Sequence, residues 1–226
     1  MKCLLFVIFT TTCFGQHLFE FGVKGGVPLS PALEAGVDGG PRLSEVATSD
    51  TRAYIIGPMV GLRLPRGFGV EVDALYSHLG FDDLLTTFIL GPIETVQTRT
   101  LAGSWEFPIV GKYHFRRSSV ASPYVEGGVS FRHLTGVSTT VTQTFFVPPQ
   151  GTVVGSMSTS SNNNFGIDRS RSGGVVGVGL EFRAAILRIA PEIRYTRWGA
   201  DRNLDSAFLA VHSNQNEVSF LVGIAF

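Results

Sequence analysis

From about Gln16 onward, hydrophobic and polar residues alternate at every second position, and stretches of that alternation are separated by polar connections. A period of two marks a strand whose faces meet different surroundings, because successive side chains point to opposite sides of a sheet. No segment carries convincing helical periodicity. The pattern predicts eight strands: Leu18 to Val27, Ala53 to Leu64, Phe68 to Gly80, Thr100 to Phe115, Pro123 to Val137, Gly173 to Arg183, Ile186 to Trp198 and Glu217 to Phe226. Their connections alternate in length. Pro28 to Arg52, Phe81 to Arg99, Ser138 to Ser172 and Gly199 to Asn216 are long; Pro65 to Gly67, Arg116 to Ser122 and the Ala184 to Ala185 step are short. That order predicts an up-and-down meander with short turns at one rim and long connections at the other.

The two rows of each strand differ sharply. In the last, Val218, Phe220, Val222, Ile224 and Phe226 form an apolar row, and Glu217, Ser219, Leu221, Gly223 and Ala225 form the other. In the seventh, Ile189, Pro191, Ile193 and Tyr195 oppose Arg188, Ala190, Glu192, Arg194 and Thr196. The fourth sets Trp105, Phe107, Ile109, Tyr113 and Phe115 against Glu106, Lys112 and His114. The fifth sets Val125, Val129 and Phe131 against Tyr124, Glu126, Ser130 and Arg132, and the sixth sets Val176, Val178, Leu180 and Phe182 against Glu181 and Arg183.

Alternation alone does not say which row faces inward: a soluble barrel hides the apolar row, and a membrane barrel turns it to lipid. Three features favour lipid. The charged rows carry Gly22, Gly26, Gly57, Gly61, Gly128, Gly177 and Gly179, which suits a crowded narrow interior. Aromatic residues fall near strand ends on the apolar row, as interface girdles require: Phe68, Phe115, Phe182 and Phe226 toward the short-turn rim, Tyr76, Trp105, Phe131 and Tyr195 toward the other. The chain also closes on an apolar strand with phenylalanine last. The expected fold is an all-β, eight-stranded antiparallel up-and-down transmembrane β-barrel.

Composition agrees with this reading. Charged residues are 16% of the 226, against 44% hydrophobic. The one long apolar stretch, Cys3 to Phe14 behind Lys2, is too short to span a bilayer as a helix. It reads as a secretory signal over residues 1–15, cut before Gln16, leaving 16–226 as the barrel domain. A lipoprotein signal ending at Cys13 is the weaker reading, because Thr10, Thr11 and Thr12 lack the aliphatic-then-small pattern. Both cysteines, Cys3 and Cys13, lie in that segment, so the mature chain has no disulfide framework. The charges of the whole chain balance, which gives no footprint for nucleic acid.

Two runs carry a resemblance. Val218 to Phe226 (VSFLVGIAF) resembles the C-terminal signal that the barrel-insertion machinery reads in outer-membrane proteins. Ala190 to Trp198 (APEIRYTRW) resembles the penultimate strand of the small outer-membrane β-barrel domain family, which includes OmpA-like and OmpX-like barrels. The resemblance covers about Gln16 to Phe226. It implies a place in the outer membrane of a Gram-negative-type bacterium, reached through the secretory pathway, with outer-membrane lipid and the insertion machinery as partners. It leaves function open, because members differ in their loops.

The inward rows hold acids and bases in equal number: Glu20, Glu71, Asp73, Glu106, Glu126, Glu181 and Glu192 against Lys24, Arg63, Lys112, Arg132, Arg183, Arg188 and Arg194. An eight-stranded barrel is only wide enough for side chains to fill, and charges buried there must pair. A salt-bridged plug is therefore expected; a channel would be favoured by rings of one sign. Catalysis is not expected. Among His17, His78, His114, His133 and His212, the best grouping is His133 with Ser130 or Thr135 near Glu126, yet Ser130 and His133 have opposite parity. Neither a cofactor nor a metal is expected. Gly177 and Gly179 precede no helix, no histidine–carboxylate cluster has zinc spacing, and Asp82 with Asp83 is too thin for calcium. The Ser138 to Ser172 connection, with its apolar Phe145 to Pro149 centre, suits a hairpin extending beyond the membrane, whose surface partner the sequence does not name. The expected function is a non-enzymatic barrel serving envelope integrity or surface-loop interaction. The alternatives are a narrow passive channel and a secreted soluble β-barrel.

Overall fold

Alternating residues pay out as expected in a computed structural model, which describes residues 18–30, 36–40, 43–49, 54–88, 93–115, 121–147, 152–161, 170–184, 186–199, 205–206, 209–210 and 214–226. The predicted signal, with Cys3 and Cys13, lies outside these residues, as do His17 and His212. Eight strands form the wall: β1 (Phe19–Pro28), β2 (Ile55–Arg63), β3 (Phe68–Asp73, continued after Ala74 by Leu75–Phe88), β4 (Ile93–His114), β5 (Ala121–Val147), β6 (Ser170–Ala184), β7 (Leu187–Trp198) and β8 (Asn216–Ala225). Each pairs antiparallel with its neighbour in sequence. β8 returns to β1, with Gly22 opposite Ala225 and Val27 opposite Phe220, and this closes the ring. Closure removes the free edges that lipid would not tolerate. Among the described residues helix is confined to the 3₁₀ turn Pro65–Gly67, where Arg66 (φ 63°) and Gly67 (φ 92°) reverse the chain between β2 and β3.

The row orientation is the membrane one. On β6, Val175 is 2% exposed and Val176 is 56%; on β4, Val110 is fully buried and Ile109 is 43% exposed. Phe21, Val23, Val60, Val129, Val178, Ile193 and Phe220 likewise point outward, while Lys24, Glu71, Asp73, Glu126, Glu192 and Arg194 are buried inside. The C-terminal row behaves the same way: Phe220, Ile224 and Phe226 are exposed, with Val218 and Val222 half-buried beside them.

The glycines of the charged row provide space. Built onto Gly177, a Cβ would lie 2.6 Å from Glu126 Oε1; on Gly179 it would lie 2.4 Å from Tyr124 Cζ, and on Gly61 3.3 Å from Glu20 Cβ. Each large inward side chain thus lies across a bare position on the adjoining strand. Gly57 is tighter still, because its Cβ would meet the Ala74 carbonyl oxygen at 1.8 Å, at the break in β3. Gly57→Ala is expected to destabilise the barrel by about 3 kcal/mol, the upper end of the overpacking range. Gly174→Ala, which points into open space, is expected to stay within about 0.5 kcal/mol. Urea unfolding midpoints of the two variants test this contrast.

The strands outrun the prediction at the long-connection rim. β4 starts at Ile93 rather than Thr100, β5 reaches Val147 rather than Val137, and β3 continues to Phe88 rather than Gly80. Residues read as loop, 81–99 above all, are therefore largely strand. Gly36–Gly40 pairs with Leu43–Ser49, Leu43–Ser49 pairs in turn with the outer half of β3, and Thr152–Ser161 pairs with β5. The short pair Asp205–Ser206 and Leu209–Ala210 stands apart. Transmembrane strands need about 9–11 residues. From Trp105 to Ile93, β4 adds about 40 Å at ~3.3 Å per residue. The apolar row had defined the predicted strands, and it stops where lipid stops, although threonine and valine continue to favour extended backbone.

Candidate functional site in the barrel lumen

Inward side chains assemble into three tiers along the axis. At the short-turn rim, Arg63 at the end of β2 donates from Nε to Glu20 Oε2 (2.8 Å) and from Nη2 to Glu181 Oε2 (2.6 Å). Arg183 Nε donates to Glu181 Oε1 at 3.0 Å, Arg188 Nη1 lies 3.3 Å from Glu20 Oε1, and His114 Nε2 lies 3.3 Å from Glu181 Oε2. Two acids therefore serve three arginines and a histidine.

The middle tier is the most enclosed. Lys24, 1% exposed, donates from Nζ to Glu71 Oε1 (2.5 Å), Glu192 Oε1 (3.0 Å) and Asp73 Oδ2 (3.1 Å). It has room because it stands opposite Gly57 on one neighbouring strand and Gly223 on the other. Lys112 Nζ donates to Glu71 Oε2 at 2.7 Å and lies 3.5 Å from Glu192 and 3.6 Å from Glu126. Arg194 fans across three acids: Nε to Glu126 Oε1 (2.9 Å), Nη1 to Asp73 Oδ2 (3.1 Å) and Nη2 to Glu192 Oε1 (2.9 Å). Tyr124 Oη donates to Glu192 Oε2 at 2.7 Å. Glu71, Glu126 and Glu192 bring carboxylate oxygens within 4.8 Å of one another, a spacing that could hold a cation. The Lys112 ammonium is already among them, so their charge is met by a side chain.

At the far rim Arg132 grips Glu217 with both terminal nitrogens, Nη1 to Oε1 at 2.7 Å and Nη2 to Oε2 at 2.5 Å. Its Nη2 also reaches Glu106 Oε2 at 3.3 Å, and Ser130 Oγ donates to Glu106 Oε1 at 2.8 Å. The guanidinium stacks over the buried Trp198 ring, 4.2 Å from its centroid.

All fourteen charged residues singled out from the sequence point into these tiers. Sequence reasoning missed Glu217, although its parity had placed it on the polar row, Tyr124 as a donor to Glu192, and the Trp198 ring beneath Arg132. It also missed the apolar fillers Met59, Leu75, Val110 and Val175; Leu221 it had placed on the inward row. Among the described residues, recesses open into the lumen at both rims. One, at the short-turn rim, is lined by residues such as Glu20, Gly61, His114 and Arg188; the other, at the far rim, by Tyr54, His78, Glu106 and Glu217. They share no lining residue, and Lys24, Asp73, Glu126 and Glu192 of the middle tier line neither.

On the outer wall, Phe68 packs against Tyr113 (5.0 Å between centroids) and Tyr113 against Phe115 (5.3 Å) near one rim. Tyr76 packs against Trp105 (5.2 Å) near the other. Phe131 and Phe182 are exposed on the same wall, and the Tyr195 hydroxyl lies 2.6 Å from Asn216 Oδ1. Ser130 faces inward and His133 outward, as their parity requires. His133 Nδ1 instead lies 2.9 Å from Ser170 Oγ, and no carboxylate contacts that ring among the described residues.

Residues 14–199 match the family model of the outer membrane protein beta-barrel domain. No curated protein matches the chain. Among solved structures it is similar to the outer membrane protein OprG of Pseudomonas aeruginosa, at 13% identity and TM-score 0.46, over 92% of this chain and 91% of that one. It is similar to Neisserial surface protein A at 10% identity and TM-score 0.40, over 92% and 94%. The N-terminal β-barrel domain of Pseudomonas aeruginosa OprF follows at 9% identity and TM-score 0.38, over 92% and 97%.

Proposed function

Because this chain belongs to the outer membrane protein beta-barrel domain family, and so to the Gram-negative outer membrane, we propose that it is a non-conducting, non-enzymatic barrel whose role lies at the envelope and in its projecting surface strands. The observation that carries the reading is the middle tier, where three cations and four acids interlock between two recesses that share no lining residue. An ion crossing there would have to break several buried pairs at once, each costly to leave unmatched. Mixed signs also remove the single-sign field that conducting pores use. Among the described residues catalysis has no support beyond the His133–Ser170 pair, since a base without an orienting acid is an incomplete set.

Delivery through the secretory pathway with removal of residues 1–15, and recognition of Val218, Phe220, Val222, Ile224 and Phe226 by the insertion machinery, belong to the same proposal. Outer-membrane lipid is the partner of the exposed apolar wall. Planar-bilayer recording of the purified full chain tests the plug: no steady conductance is expected. Long-lived openings of uniform size would overturn it in favour of a passive channel.

A further inference from the structure

The lipid-facing surface continues beyond the outer aromatic residues. β4 and β5 run on past Trp105 and Phe131, flanked by Leu43–Ser49 on β3 and Thr152–Ser161 on β5. One extra residue keeps the outward face continuous: the β4–β5 register shifts between Leu101 and Gly103, where Gly136 takes a φ of +60°. Such a bulge reverses parity on one strand, so Phe131 and Thr142 face the same way although one number is odd and the other even.

The chemistry of that face changes where lipid tails end. Its rows across the sheet read Leu84, Gln97, Thr142, Ser158 and then Asp82, Arg99, Thr140, Ser160. Arg99 Nε lies 3.7 Å from Asp82 Oδ1, so the charges on the face offset each other. The opposite face, continuous with the lumen row, buries Asp83, Thr98 and Val137. Leu84, Gln97, Arg99 and Ser158 on the outward face are exposed.

We propose that this outward hydroxyl-bearing face docks the saccharide headgroups of the glycolipid in the outer leaflet around the barrel. The proposal rests on the membrane orientation of the barrel: the face extends the lipid-contacting wall directly, so it meets whatever stands above the acyl chains of the same lipids. Threonine and serine hydroxyls both donate and accept, as sugar hydroxyls do, and Leu84 offers an aliphatic patch to sugar C–H faces. A face without net charge favours the sugars over the lipid phosphates.

The test uses the refolded full chain with Cys3→Ser and Cys13→Ser, carrying one nitroxide label at a time through Thr142→Cys, Val141→Cys or Val129→Cys. Four preparations are compared: phosphatidylethanolamine–phosphatidylglycerol vesicles, the same with complete lipopolysaccharide, the same with lipid A alone, and the first with free core oligosaccharide. Collisions of the Thr142→Cys label with a water-soluble nickel complex are expected to fall several-fold with complete lipopolysaccharide only, and those of the Val141→Cys label on the opposite face to stay unchanged. No fall, an equal fall with lipid A or with free oligosaccharide, or an equal fall at Val141→Cys would overturn the proposal. The Val129→Cys label in the lipid band reports on the orientation separately. It is expected to be shielded from nickel in all four preparations, and its exposure would overturn the membrane orientation together with the docking face.

Discussion

Replacing Lys24 by methionine is expected to destabilise the folded barrel by about 3–5 kcal/mol, the range for removing one partner of a buried ion pair. Lys24 is the ammonium that Glu71, Asp73 and Glu192 share, at 2.5, 3.1 and 3.0 Å. Its loss leaves four acids of the middle tier facing Lys112 and Arg194 alone. Methionine fills nearly the same space, so the cost measures unmatched carboxylates rather than a cavity. Lys24→Met with Asp73→Asn returns the excess of acids to its original value and is expected to recover a large part of the loss; groups in one network are coupled in this way. Urea unfolding in detergent micelles, with the fraction of compact species on unheated gels, gives both values. A cost below about 1 kcal/mol would mean that water screens these charges, as it does exposed pairs. The lumen would then be open, against the plugged reading.

That interior was legible in the sequence because strand parity is a rigid rule. Once Val176 and Val178 share a row, Glu181 must lie on the other, and the structure places it there. Parity gives the face but not the height, so the partners were hidden. Nothing in the order of residues pairs Arg63 with Glu181, 118 positions away, or Arg132 with Glu217, 85 positions away. Those pairings come from strand stagger around the closed wall, a property of the whole ring. Inward apolar residues such as Val110 and Val175 were obscured for another reason. A row was recognised as inward by its charges, whereas a narrow lumen also needs side chains that simply fill volume. Beyond the membrane the signal changed: Thr140, Thr142 and Thr144 alternate with Val141, Gln143 and Phe145, a pattern with no uniform apolar row although every residue is extended.

The same rigid parity makes the lipid-facing wall testable at a single position. Ile109 lies midway along β4 between Trp105 and Tyr113, which belong to the two aromatic clusters of the wall, and it is 43% exposed with no polar partner. In a bilayer its surroundings are acyl chains, and arginine near the midplane of a barrel costs about 2–4 kcal/mol. Ile109→Arg is therefore expected to lower stability in phospholipid bilayers by that amount. Gln97→Arg, on the same strand and the same face but beyond the aromatic residues, is expected to change it by less than about 0.5 kcal/mol. Urea titration of the two variants folded into phosphocholine vesicles compares them directly. A soluble barrel with its exposed wall in water would accept arginine equally well at both sites, because neither side chain would leave solvent. Equal costs at positions 97 and 109 would thus overturn the membrane orientation; a difference of 2 kcal/mol or more, about 30-fold in the folding equilibrium, is what lipid contact at Ile109 alone requires.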